Sequence, residues 1–245
     1  MSHKRKKSSV RSLTFTFKQR RIEVLLDKVL IFRFIRNLHG RFWGLAGILV
    51  MIIGFTVCFL IRQDMIHPST AFSDFGSDTR TAPYFAGSVF FGAYGMWRWR
   101  NYLARTWKRS MLVQGLITLT VLGLYLVALM PVSWRPIPHT IHMFGVSLAG
   151  ISMLTAVVVD SLLTKPHDGR VRLWRFTRFV SFVSIIVGGV MMAGSTEWLH
   201  WFNLSLVGES LVLWGYLVWI VFKTYAGEGN TTVLARILKK FVFID

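Results

Sequence analysis

Two histidines three positions apart, His139 and His142, follow a proline cluster (Pro131, Pro136 and Pro138) and open a long apolar run. An i, i+3 pair leans to one side of a helix, so both imidazoles can face one ligand. Zinc-binding helices more often space their histidines i, i+4. The metal signal is therefore weak, and the plainer role is hydrogen bonding to backbone or headgroups. A third histidine, His200, and a glutamate, Glu209, stand near the start of the last apolar run. With Asp74 and Asp78 from an earlier polar stretch, these form the set of candidate ligand-binding residues. Two chemistries suit them. Zn²⁺ held by His139, His142 and His200, with a carboxylate as base, would activate water. A glutamate inside an apolar helix would instead carry a proton or bind a ligand.

What positions these residues is legible from composition. The chain has 245 residues, of which 53% are hydrophobic and 16% charged; globular domains run near roughly a quarter charged. The apolar residues fall into long uncharged runs, and runs of about 18 or more read as membrane spans. The expected fold is an all-α polytopic membrane protein, a six-transmembrane-helix bundle with amphipathic interfacial helices at both termini. The predicted spans are about 42–61, 83–99, 111–130, 138–159, 179–194 and 201–222. Residues 1–41 read as a basic cytoplasmic tail. Within it Ile22, Leu25, Leu26, Val29 and Leu30 recur at helical spacing among Arg and Lys. Residues 223–245 read as a second basic amphipathic tail. The WRWRNYLARTWKR stretch from Trp97 reads as a basic, aromatic interface turn.

The formal net charge is +18. A nucleic-acid binder would not carry this much apolar surface. The basic segments, including Lys4, Arg5, Lys6, Lys7, Arg20 and Arg21, fit anionic inner-leaflet headgroups instead. Membrane lipids are the expected partners, and nucleic acid is not. The single cysteine, Cys58, allows no disulfide within the chain and no cysteine metal site. The basic region before the first span is too long for a signal peptide, and no small-residue cleavage site follows the apolar run. With the six spans drawn, 26 of the 29 Lys and Arg residues fall on one side and 3 on the other. By the positive-inside rule both termini are cytoplasmic. The expected location is a cell membrane, plasma or inner.

Orientation then sorts the polar residues. Asp74, Asp78, His139, His142, His200 and Glu209 gather on the outer side. Glu209 lies about eight residues into the last span, roughly 12 Å along a helix, where a carboxylate costs a few kcal/mol even on mild insertion scales. It has to face the bundle, with a partner or a proton; Ser205 and Gly208 leave room beside it. His142 and Asp160 are eighteen residues apart, five whole turns, and share a helix face with Val146, Ala149, Met153 and Ala156. Asp160 reads as a helix end near water, the plainer account, or as the partner of an inner-loop arginine. Facing His142 and His200 would serve at most one haem. No hydrolase triad motif and no glycine-rich phosphate loop is present.

Three features together carry a resemblance. Ser73-Asp74-Phe75-Gly76-Ser77 precedes an Ala82-Pro83 step; Pro131, Pro138, His139 and His142 form a later mouth; Gly208-Glu209 precedes Leu213-Trp214. In these the chain resembles a family of six-span bacterial membrane proteins of unknown function, allied to the Frag/DRAM/Sfk-type membrane proteins. The likeness covers about residues 42–223. It implies six helices and an outward-facing polar cavity, and it brings no reaction. The expected function is binding of a lipid or small amphiphile in that cavity, without a cofactor. The alternatives are a zinc-dependent intramembrane lipid hydrolase and a proton-coupled transporter using Glu209.

Overall fold

A computed structural model describes residues 40–106, 111–130, 136–165, 171–195, 201, 203–226 and 230–231. The terminal amphipathic helices expected in 1–41 and 223–245 lie outside these residues, apart from residues 40–41, the last turn of the final helix and residues 230–231. Six α-helices make up the described bundle: α1 Trp43–Ile61, α2 Ala82–Thr106, α3 Met111–Leu129, α4 Pro136–Leu163, α5 Val171–Gly194 and α6 Ser205–Ala226. A 3-10 turn, Gly40–Phe42, leads into α1. Apart from one two-residue ladder, which pairs Thr164 with Thr231 and Lys165 with Asn230, the described fold is helical.

Among the described residues five helices are long and apolar enough to cross a membrane: α1 with its leading turn, α3, α4, α5 and α6. These make the protein a multi-pass membrane protein. The remaining helix, α2, is 25 residues long but carries Tyr84, Tyr94, Arg98 and Arg100 and several glycines. Its position explains its lower hydropathy. It packs against both α1 and α3, and buries Phe85, Val89, Ala93, Met96, Trp99 and Leu103 at spacings of three and four residues. A helix screened by neighbours needs fewer lipid-compatible side chains. The helix continues through Trp97–Thr106, so the described part of the expected interface turn is helical. The basic residues Arg172, Arg175 and Arg178 likewise belong to the first turns of α5 rather than to a loop.

Three antiparallel pairs, α1 with α2, α3 with α4 and α5 with α6, close through small residues, the usual device where lipid removes any hydrophobic gain from helix contact. A Cβ on Gly95 of α2 would stand 2.7 Å from the Gly47 Cα of α1. One on Gly123 of α3 would meet the Gly145 carbonyl of α4 at 2.6 Å, and one on Gly208 of α6 the Gly188 carbonyl of α5 at 2.7 Å. The α5/α6 pair joins the rest by fewer contacts. Trp219 of α6 meets Trp99 of α2 edge-on at 5.4 Å, and the Tyr216 hydroxyl donates to the Gly150 carbonyl of α4 at 2.9 Å.

Residues 62–81 do not stand out from the bundle as a polar loop. They fold back into its end through two 3-10 turns, Gln63–Met65 and Phe72–Gly76. Phe75 is buried against Phe59 at 5.1 Å, and Phe72 stacks on Phe55 at 4.5 Å. Both rings pack into a cluster with Met51, Phe85, Val89 and Val127. The polar residues of the segment tie it down. Arg62 bridges Asp64 and Asp78, the Thr81 hydroxyl donates to the Phe75 carbonyl at 2.6 Å, and the Leu206 amide at the head of α6 donates to the Pro68 carbonyl at 3.0 Å.

Candidate functional site

The 3-10 turn Phe72–Gly76 begins after Ala71, which has no side-chain oxygen with which to cap it. Helix starts leave backbone N–H groups unpaired. Here two carboxylates take two consecutive ones. The Ala71 N–H donates to Asp74 Oδ2 at 2.8 Å. The Phe72 N–H donates to Glu209 Oε2, from a helix 137 positions away in sequence. The partner that an intramembrane glutamate demands is therefore the backbone of the inserted segment, and the bond pins that segment to α6. Gly208 leaves the room expected of it and closes on Gly188 of α5.

His142 is fully buried. Its Nδ1 lies 2.6 Å from the Met130 carbonyl oxygen at the end of α3. A carbonyl only accepts, so Nδ1 carries the proton. Nε2 has no partner among the described residues. Asp74 and Glu209 share one polar neighbourhood, bonded to consecutive backbone amides of the inserted segment. His139 is exposed in the first turn of α4. Asp78 is taken by Arg62 and Arg80. His200 lies outside the described residues. The Asp64 carboxyl, at the mouth, is held down to about 2 by its hydrogen bond to the Arg62 guanidinium.

A groove of about 200 Å³ runs between α1 and α6 beside this neighbourhood. Ile52, Phe55 and Phe59 of α1 form one wall, Leu213 and Trp214 of α6 the other, and Phe72 closes it toward the inserted segment. Ser210, next to Glu209, also lines it. The walls are almost wholly apolar.

The opposite end of the bundle holds a second polar cluster. Asp160 is 1% exposed. Its carboxylate meets Lys223 Nζ at 2.6 Å, the Trp219 indole N–H at 3.1 Å and the Thr164 hydroxyl at 2.9 Å. The plainer expectation for Asp160, a helix end near water, is overturned: α4 runs on to Leu163, and α6 covers the carboxylate. Arg178 of α5 is close by but bonds backbone. It donates to the carbonyls of Ser161 at 2.6 Å and of Asp160 and Thr164 at 3.0 Å, capping the negative end of the α4 dipole. Of the face shared by His142, Val146, Ala149, Met153, Ala156 and Asp160, all are buried as the spacing implies except Val146, which is partly buried. Lys223, Trp219 and Arg178 were legible only as a tail charge, an aromatic and a loop charge. The i, i+4 spacing of Trp219 and Lys223 on one helix face was the available signal.

Among the described residues no three His, Cys, Asp or Glu side chains come together to hold a metal ion. The fold and its two polar ends define the class: an all-helical, multi-pass membrane protein with a helical segment inserted into one end of the bundle. No protein-family model, curated protein or solved structure matches the chain.

Proposed function

We propose that this protein crosses the membrane six times, with both termini cytoplasmic, and binds a lipid chain in the groove between α1 and α6. The charge distribution supports the orientation, since the inserted segment 62–81 falls on the cation-poor side. α2 then counts as the sixth span, carried between α1 and α3. One observation carries the binding reading. The apolar groove ends against Phe72, the residue whose amide is fixed to Glu209. A bound chain would therefore lie in hydrocarbon surroundings with its polar end beside the inserted segment. The protein acts as a binding protein on this reading, with no reaction assigned.

A phospholipid with a diazirine on its acyl chain tests this in membranes. Crosslinks should concentrate on peptides of α1 and α6. Leu213→Trp, which fills the groove, should remove them, while Leu119→Trp on the exposed face of α3 should not. Uniform labelling of all helices, unchanged by Leu213→Trp, would reject the groove.

A further inference from the structure

Helices α1 and α6 run antiparallel and are joined unequally along their length. At the Lys223 end they touch. A Cβ on Gly44 would stand 3.1 Å from Ile220 Cγ2, and the Thr224 hydroxyl donates to the Arg41 carbonyl at 3.3 Å. The Asp160–Lys223 pair, the Arg178 bonds to the end of α4 and the edge-on Trp99–Trp219 contact fix the same end of the α5/α6 hairpin. Halfway along, Tyr216 bonds Gly150. Toward the other end α1 and α6 part around the groove. Among the described residues, the hydrogen bonds that reach α6 there from outside its own hairpin both involve the inserted segment. The Pro68 carbonyl accepts from Leu206, and the Phe72 amide donates to Glu209. The segment itself is rooted on α1 and α2: Phe75 and Thr81 are buried, and Arg62 at the end of α1 bridges to Asp78. Residues 66–69, which reach across to α6, are exposed. A joint made of a few bonds at an exposed end opens more readily than one made of buried contacts.

The groove is also small as it stands. It holds about 200 Å³, short of the roughly 300–1,000 Å³ of ordinary ligand sites. Admitting a chain requires α1 and α6 to move apart where they are least joined. We infer that the α5/α6 hairpin is a gate that swings from α1 about its Lys223 end, with the two bonds of the inserted segment as its catch; what the gate admits, a lipid chain, rests on the groove reading above. The close approach of Gly188 and Gly208 keeps α5 and α6 together as one body. Turning such a body about one fixed end is an ordinary hinge motion. Phe72 both lines the groove and carries the catch amide, so opening the catch and widening the groove are one event.

The test uses the full chain with Cys58→Ala, so that introduced cysteines are its only thiols. Pro68→Cys and Leu206→Cys are joined in detergent by a short reducible bridge, and the protein is placed in nanodiscs holding the diazirine phospholipid. Acyl crosslinks to α1 and α6 should be lost in the bridged protein and return on reduction. Equal crosslinking in the bridged and reduced forms overturns the gate and leaves the groove standing. A second measurement locates the hinge. Spin labels on Leu60→Cys and Val207→Cys, exposed at the groove end of α1 and α6, should show a longer distance whose share rises about tenfold in Glu209→Leu, the scale of one hydrogen bond to a charged group. Labels on Met111→Cys and Tyr225→Cys, exposed at the Lys223 end, should keep a single distance. A groove-end distance that Glu209→Leu leaves unchanged, or equal lengthening at both ends, overturns the gate. Lengthening at the groove end alone, without acyl crosslinks in either form, supports the swing and rejects the groove reading.

Discussion

The Lys223 ammonium lies 2.6 Å from the Asp160 carboxylate, and the two side chains are only 3% and 1% exposed. A charge sealed in this way depends on its partner. Removing one member of a buried pair costs about 3–5 kcal/mol, whereas replacing both by apolar groups is often neutral. Asp160→Asn should therefore lower the thermal unfolding temperature in detergent sharply. The double variant Asp160→Leu with Lys223→Met should recover most of the loss. Equal destabilisation by the single and double variants would mean the pair is not what holds α4 to α6.

Glu209 fastens the inserted segment to α6 through the Phe72 amide. A hydrogen bond to a charged group is worth about 1.5–3 kcal/mol. Glu209→Leu removes the acceptor, so amides around Phe72 should exchange about tenfold or more faster. Glu209→Gln keeps a carbonyl oxygen in place and should sit between the two. Hydrogen-exchange mass spectrometry of the 62–81 peptides reads this directly. Exchange that is unchanged in Glu209→Leu would leave Phe72 and Phe75 packing as the sole anchor.

The glycine contacts give a third prediction. A Cβ on Gly123 would meet the Gly145 carbonyl at 2.6 Å, whereas one on Gly150 meets nothing within 4 Å. Overpacking costs about 1–3 kcal/mol. Gly123→Ala should destabilise the α3/α4 pair, and Gly150→Ala, whose Cβ would enter open space, should leave the unfolding temperature unchanged or slightly raised. Equal effects from the two substitutions would contradict the close packing.

Acid dependence follows from Asp64. Its carboxyl is depressed from 3.8 to about 2, first by the Arg62 hydrogen bond. A depressed carboxylate contributes stability that is present above its unfolded value and lost as pH falls through the folded one. The Arg62–Asp64 bridge should therefore persist at pH 4 and open with a midpoint near pH 2. NMR titration of the Asp64 carboxyl carbon checks the midpoint, and Arg62→Gln should return it toward 3.8. A midpoint unchanged by Arg62→Gln would remove the guanidinium as the cause.

The two polar ends of the bundle differ in how visible they are beforehand. Glu209 announces itself because a carboxylate in an apolar run has few permitted surroundings. His142 and Asp160 announce a shared face because helical geometry is periodic. Nothing local marks Lys223 as the partner of Asp160, for it reads as the first charge of a basic tail. Phe72 and Phe75 sit among Ser, Asp and Gly, so their burial is hidden by the polarity around them.

By itself the amino-acid order determined that the chain lives in a bilayer as helices. Long uncharged runs admit no other hydrogen-bonded solution there. Only the tertiary structure decided that segment 62–81 closes the bundle rather than hanging from it, that Glu209 bonds a backbone amide, and that Asp160 is sealed with Lys223. Those outcomes depend on groups far apart in the chain, 137 positions for Glu209 and Phe72. Hydropathy and periodicity are sums over neighbours, and they hold no term for such a meeting.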